Sequence, residues 1–239
     1  MKAFLLAAGL GSRLRPITDT LPKCLVEIGG RPLLDIWLDA FVKAGVDDVL
    51  VNTHHLSALV EAHVARRAGG PTVHLRHEPV LLGSAGTLLS NRDFLGEGES
   101  FLAVNADNLT DFDLRTLIEA HASNRAAATL SVFRAPRPSE CGIVEVADGI
   151  VTGFVEKPAH PVSDLANAGI YAFDAGVLDA IPESLPRDIG FDLLPRLVGQ
   201  AAIVHLGESY FLDIGTPAAL EQARADWPAR TDWQEEMPS

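Results

Sequence analysis

The sequence predicts an α/β fold organised as a doubly wound, mostly parallel sheet. Three observations predict it. Short apolar runs recur through the first half, amphipathic stretches lie between most of them, and beyond residue 140 the pattern changes to closely spaced alternating strands. Composition agrees, since 47% hydrophobic and 21% charged side chains over 239 residues describe an ordinary globular chain. Such a chain can bury a large core without disulfides or a structural metal.

The first run, Ala3 to Ala8, is far below the ~20 apolar residues that span a bilayer. It is also short for the core of a signal peptide, and it reads as a buried strand. Within Leu33 to Ala44, Leu34, Trp37, Leu38 and Phe41 recur at helical spacing and Gly45 supplies a stop, so this stretch is a crossover helix. Further strands follow at Asp48 to Asn52, Thr72 to Leu75, Phe101 to Asn105 and Ala127 to Phe133, joined by right-handed crossovers. Ile143 to Val146 and Ile150 to Val155 flank Asp148-Gly149, a hairpin signal, and Ala168 to Phe173 is a third strand of this region. Helical patterning returns at Phe191 to Val198, and again from Pro217, a residue suited to a first helical position, to about Trp227. Residues 1–227 are therefore expected to form a single domain, with parts at about 1–135 and 136–227, followed by a polar tail at 228–239.

Charge and cysteine content narrow the function. Nineteen Lys plus Arg against 32 Asp plus Glu give a net charge of -13, the wrong sign for holding duplex nucleic acid through its phosphates. No segment is expected to cross or bind a membrane. Cys24 and Cys141 form no CxxC pair, and a reducing cytoplasm fits two isolated thiols. Eight histidines, including His54-His55, show no HxxxH or HExxH spacing and read as surface or loop residues.

The segment Leu6-Ala7-Ala8-Gly9-Leu10-Gly11-Ser12-Arg13 follows the first strand, at the carboxyl end where open α/β sheets bind ligands. Gly9 and Gly11 let backbone N–H groups approach phosphate oxygens, and Arg13 offers a planar cation. Leu14 occupies the third glycine position of a dinucleotide fingerprint, and no Gly-Lys-Ser/Thr follows, so neither familiar phosphate motif applies. Lys23, a short loop further on, adds a second cation suited to a triphosphate. Asp107 and Asp213 each follow an apolar run. With a triphosphate loop they suggest Mg²⁺, which takes one or two carboxylates plus substrate oxygens.

LAAGLGSRLRPIT followed by LPKCLVEIGGRPLL resembles the N-terminal signature of the sugar-1-phosphate nucleotidyltransferases. Three later stretches extend the resemblance to about Trp227: Phe101 to Asp107; Phe154-Val155-Glu156-Lys157-Pro158 with Ala166 to Tyr171; and Tyr210 to Pro217. The resemblance implies a Rossmann-like, glycosyltransferase A-like fold with a small β-rich sugar-binding insertion. It also implies a nucleotide-binding part at about 1–135, a sugar-binding part at about 136–227, and metal binding by Asp107 and Asp213. Arg13 and Lys23 are implied at the triphosphate, and Leu6, Ala7, Ala8, Gly9, Gly11, Ser12, Glu78 and Gly83 around the nucleotide. Asn105, Gly142, Glu156, Lys157 and Asn167 are implied at the sugar phosphate. Cys24 stands where the family commonly has Pro, and Ala106 where Gly is common. The chain ends soon after the Asp213 segment, so no appended β-helix or acetyltransferase is expected.

The implied activity joins NTP and a sugar-1-phosphate into NDP-sugar and pyrophosphate, in the cytoplasm. Glu78 stands where thymidylyl-transferring relatives commonly carry Gln. A carboxylate can accept both N1–H and the exocyclic amine of guanine, which favours GTP with a mannose- or heptose-type 1-phosphate. Uridylyl transfer to an N-acetylmuramic acid or glucose type stays open. So do cytidylyl transfer to an alcohol phosphate, a non-catalytic regulatory subunit, and homo-oligomerisation.

Overall fold

The computed structural model describes residues 1–230. Residues 231–239 of the expected tail lie outside the described residues. The first half runs β1 (Lys2–Leu6), a minor hairpin of β2 (Glu27–Ile28) and β3 (Arg31–Pro32), α1 (Leu33–Lys43), β4 (Asp48–Thr53), α2 (Ser57–Arg66), β5 (Thr72–His77), α3 (Ser84–Ser90), β6 (Ser100–Asn105), β7 (Asn108–Thr110), α4 (Leu114–Asn124) and β8 (Ala128–Arg134). The second half contributes β9 (Gly142–Ala147), β10 (Ile150–Glu156), β11 (Leu165–Asp174), β12 (Ala201–His205), β13 (Phe211–Asp213) and α5 (Pro217–Asp226).

Nine strands form one sheet in the order β5-β4-β1-β6-β11-β8-β12-β10-β9. From β5 to β6 the pairing is parallel, and Leu6 stands in register with Asn52 on one side and Asn105 on the other. These strands therefore end at one edge, as the sequence predicts. Alternation splits the core between the two faces. Ala3, Leu5, Val49 and Val51 pack with α1, α4 and α5, while Phe4, Leu50 and Phe101 pack with α3 and the segment 177–197. In α1 the expected stripe is buried, and Gly45 at φ 72 ends the helix. Phe41→Ala there would cost about 3–5 kcal/mol.

The β-rich half extends the main sheet, which makes the sheet mixed. Strand β11 pairs antiparallel with both β6 and β8, and β12 adds parallel to β8. Nearly all of β11 is buried, because its apolar run has layers packed on both faces. The Asp148-Gly149 turn forms as expected, with both residues at positive φ.

The expected helix at Phe191 to Val198 is replaced by a π turn, Ile189–Leu193, followed by a 3-10 turn, Leu194–Arg196. Asp188 caps the start by accepting from Gly190 N and Phe191 N. Pro195 withholds the N–H that a continuous α-helix would need.

Candidate active site

The carboxyl edge of the sheet opens onto a cavity of about 510 Å³. The glycine loop forms its rim. Open space surrounds Gly9 where a side chain would stand, whereas a Cβ on Gly11 would lie 2.7 Å from Thr18 Cγ2. Gly11 is also at φ 62, and its carbonyl accepts from Thr18 Oγ1 at 2.7 Å. Gly11 therefore shapes the loop. Neither it nor Ser12 lines the cavity. Ser12 begins the short turn Ser12–Leu14 that carries Arg13 into it.

The charged centre is assembled from distant segments. Strand β13 pairs antiparallel with β7, placing Asp213 opposite Asn108, and Ile214 N donates to Asp107 O at 3.0 Å. This ladder sets the two carboxylates side by side. Lys23 Nζ lies 2.9 Å from Asp107 Oδ2 and 3.6 Å from Asp213 Oδ1, and Arg13 Nη2 lies 3.9 Å from Asp213 Oδ2. The approach depends on Gly215, where a Cβ would stand 2.6 Å from Arg13 Nη2 and 2.8 Å from Asp213 Oδ1. Burial pushes the Asp213 carboxyl above its ordinary pKa, the Asp107 charge adds to the shift, and Lys23 and Arg13 oppose it.

Lys23 does not face the open cleft. Its side chain is 10% exposed and borders a small recess behind Asp107, shared with Ala7, Cys24 and Ala106. There it offsets part of the charge of the carboxylate pair. Burial pushes the adjacent Cys24 thiol up to about 12, leaving it a packed, unreactive group.

Two convergent carboxylates with mutual repulsion form an oxygen donor set that fits Mg²⁺, which needs few protein ligands when substrate phosphates complete its shell. Among the described residues no group of three or more His, Cys, Asp or Glu could hold a metal. His54 Nδ1 and His55 Nε2 meet the carbonyls of Glu78 and Thr18.

At the other end of the cavity, Gly169 at φ 70 bends β11 so closely that a Cβ would lie 2.5 Å from Asn105 Nδ2. Asn167 Nδ2 donates to the buried Tyr171 hydroxyl at 2.6 Å, and Asn167 Oδ1 accepts from Gly169 N at 3.1 Å. One amide N–H remains for a ligand. A Cβ on Gly142 would meet Glu156 Oε2 at 2.5 Å, so glycine is required beside that carboxylate. Glu156 is pushed above the ordinary carboxylate range by burial first and by the Asp188 charge, against the pull of Lys157, whose Nζ lies 3.7 Å from Glu156 Oε1.

Glu78 is buried, at 3% exposure. Its Oε1 accepts from Asn52 Nδ2 at 2.9 Å and from Thr87 Oγ1 at 2.5 Å, and its Oε2 accepts from Leu82 N at 3.1 Å. Sequence reasoning missed these partners, as it missed Ser84 and Asp188. Ser84 Oγ donates to Asp188 Oδ2 and accepts from Ile189 N, each at 2.8 Å. Asn52 had a readable signal, being an amide at the end of a buried apolar strand; Asp188 joins the site through contacts more than 100 residues away.

The fold and this charged centre suit a nucleotide-handling α/β protein. Residues 2–230 match the Nucleotidyl transferase family, and the chain belongs to it. It is 32% identical over 222 residues to the mannose-1-phosphate guanylyltransferase catalytic subunit beta of Dictyostelium discoideum and 35% identical over 224 residues to that of Danio rerio. Each match covers 91% of this chain and 62% of the relative, so the chain spans less than two thirds of their length. Among solved structures, a putative glucose-1-phosphate thymidylyltransferase from Bacillus anthracis superposes with TM-score 0.84 and 26% identity over 94% of each chain. A UDP-glucose pyrophosphorylase from Acinetobacter baumannii superposes with TM-score 0.83 and 22% identity over 97% of this chain and 94% of that one, a likeness of fold. No helix among the described residues is long and apolar enough to cross a membrane.

Proposed function

We propose that the chain joins a nucleoside triphosphate, preferably GTP, to a sugar-1-phosphate of the mannose or heptose type, giving NDP-sugar and pyrophosphate. The observation that carries this reading is the Lys23 ammonium placed between Asp107 and Asp213 beside the glycine loop. The named relatives favour guanylyl transfer to mannose-1-phosphate. A phosphate oxygen of the sugar attacks the α-phosphorus, the bond from that phosphorus to the α–β bridging oxygen breaks, and pyrophosphate leaves with the bond's electron pair. No enzyme nucleophile is needed, because the attacking oxygen is already ionised at neutral pH.

Arg13 and the loop amides stabilise charge on the departing phosphates, since such transfers depend mainly on positioning and electrostatics. Asp107 and Asp213 would hold Mg²⁺, which supplies charge neutralisation at the α-phosphate. Lys157 offsets repulsion between the two anionic substrates, and Glu156 and Asn167 orient sugar hydroxyls. We place the enzyme in the cytoplasm, where nucleoside triphosphates are made. A pyrophosphate-release screen of four NTPs against a panel of sugar-1-phosphates with Mg²⁺ tests the reading. Release with GTP and mannose-1-phosphate above the other pairs is expected, and no release with any pair overturns it.

A further inference from the structure

Beside the base-facing end of the cavity lies a buried polar network that the proposed chemistry does not use. Asn52, Glu78 and Thr87 are all buried, and all three reach the cavity wall. Asn52 stands at its centre. Its Oδ1 accepts from Ala7 N at 2.7 Å, while its Nδ2 donates to Glu78 Oε1 at 2.9 Å and to Thr87 Oγ1 at 3.0 Å. Turning the amide over would set donor against donor at Ala7 and acceptor against acceptor at Glu78, so the partners fix its orientation. The network thus joins the glycine loop at Ala7 to the turn 79–83, whose Leu82 N is held by Glu78 Oε2 at 3.1 Å. Thr87 Oγ1 also lies 3.1 Å from Gly83 O, though its one hydroxyl proton goes to the nearer Glu78 Oε1.

The bonding leaves Glu78 little capacity for a ligand. A carboxylate has about four acceptor positions. Asn52 and Thr87 occupy both on Oε1, and Leu82 N occupies one on Oε2. The paired N1–H and amino group of guanine need one free acceptor on each oxygen. Glu78 can offer only one.

We propose that Asn52 and Thr87 are positioning residues of the base pocket, acting through a Glu78 carboxylate that sets the two backbone walls at Ala7 and Leu82 and does not itself read the base. The proposal rests on the nucleotidyl-transfer reading for its ligand. Base selection then falls to backbone groups around Leu6, Ala7 and Gly83. Losing any member of the network loosens both walls for every base alike.

Calorimetric affinities for GTP and ITP, which differ only in the 2-amino group, test this in wild type, Thr87→Val, Asn52→Leu and Glu78→Gln. Each variant is expected to weaken both nucleotides by the same factor, about tenfold, the scale of one buried hydrogen bond. KM for the nucleotide should rise more than kcat falls, with the sugar-1-phosphate KM unmoved. A GTP over ITP preference that collapses in Glu78→Gln but survives in Thr87→Val overturns the proposal, because Glu78 then reads the amine. Amide hydrogen exchange of the ligand-free protein reads the walls independently. Faster exchange at both Ala7 and Leu82 in Thr87→Val and Glu78→Gln supports the network, and unchanged exchange overturns it. A wild type that binds neither nucleotide overturns the activity reading instead, while the exchange result still decides the positioning.

Discussion

The Asp107–Asp213 centre, proposed to hold the phosphates, and the Glu78 end of the cavity, proposed to hold the base, both contain carboxylates, and the two regions treat them in opposite ways. Asp107 and Asp213 are partly exposed, crowd one another, and share the single ammonium of Lys23. Glu78 is buried and surrounded by neutral donors. On the proposed reading, a group that must interact with changing charge is kept accessible and electrostatically frustrated, whereas a group that only holds shape is saturated with hydrogen bonds. Removing charge should therefore damage the two regions differently.

The largest loss is expected at the phosphate centre. Asp107→Asn and Asp213→Asn should each lower turnover at least ~100-fold, the scale of losing a main electrostatic stabiliser, with nucleotide affinity changed much less. Initial rates at saturating Mg²⁺ check this. Near-normal rates in both variants would erase the contrast with Glu78.

Lys23→Ala and Arg13→Ala come next, at roughly 10- to 100-fold in turnover, because each removes one of several charge-stabilising contacts. The Lys23 variant should be the worse, since it also leaves Asp107 facing Asp213 without a bridging cation. Equal and small effects in the two would show that the buried lysine is merely structural.

How much of this contrast was legible in the sequence follows from the range of the interactions. The glycine loop, the crossover helix at Leu33 and the Asp148-Gly149 hairpin depend on near neighbours, and they form where the sequence places them. Strand β12, Ala-Ala-Ile-Val-His, is too short and shows too little alternation to be read, yet it completes the sheet beside β8. Register brings Asp213 to Asp107 across more than 100 residues, a pairing that the strand-end carboxylates and the family resemblance suggested but no local pattern fixes. The sequence names Glu78 as a reader of the base, and it lines the cavity. Its saturation by Asn52 and Thr87 was invisible, because those partners come from a separate strand and helix.

A smaller, selective effect is expected at the sugar end. Lys157→Ala should raise KM for the sugar-1-phosphate several-fold, the ordinary scale of one partly exposed charge contact, while leaving the nucleotide KM close to wild type. Steady-state kinetics with each substrate varied in turn checks it. A rise confined to the nucleotide KM would place Lys157 at the wrong end of the cavity.

The smallest effect concerns stability, and its sign distinguishes the two regions. Burial and the Asp107 charge raise the Asp213 carboxyl above its ordinary pKa. A carboxyl whose folded-state pKa exceeds the unfolded value holds its proton more tightly when folded. Its stabilising contribution is therefore complete below the unfolded pKa and is lost as pH rises through the folded value. Above that folded value the ionised Asp213 works against the fold, and screening at a half-exposed site keeps the penalty small. Asp213→Asn should melt slightly above wild type at pH 7 despite its loss of turnover, and the gap should close as pH falls through the acidic range in which Asp213 takes up its proton. Glu78→Gln should move the other way, because it removes an acceptor from a saturated buried network and sets an amide N–H against a backbone N–H. Thermal melting of the two variants at pH 7 and at pH 4 measures both signs. A lower melting point for Asp213→Asn at neutral pH would mean that its contact with Lys23 outweighs burial, and that the phosphate centre stabilises the fold in the same way as the base end.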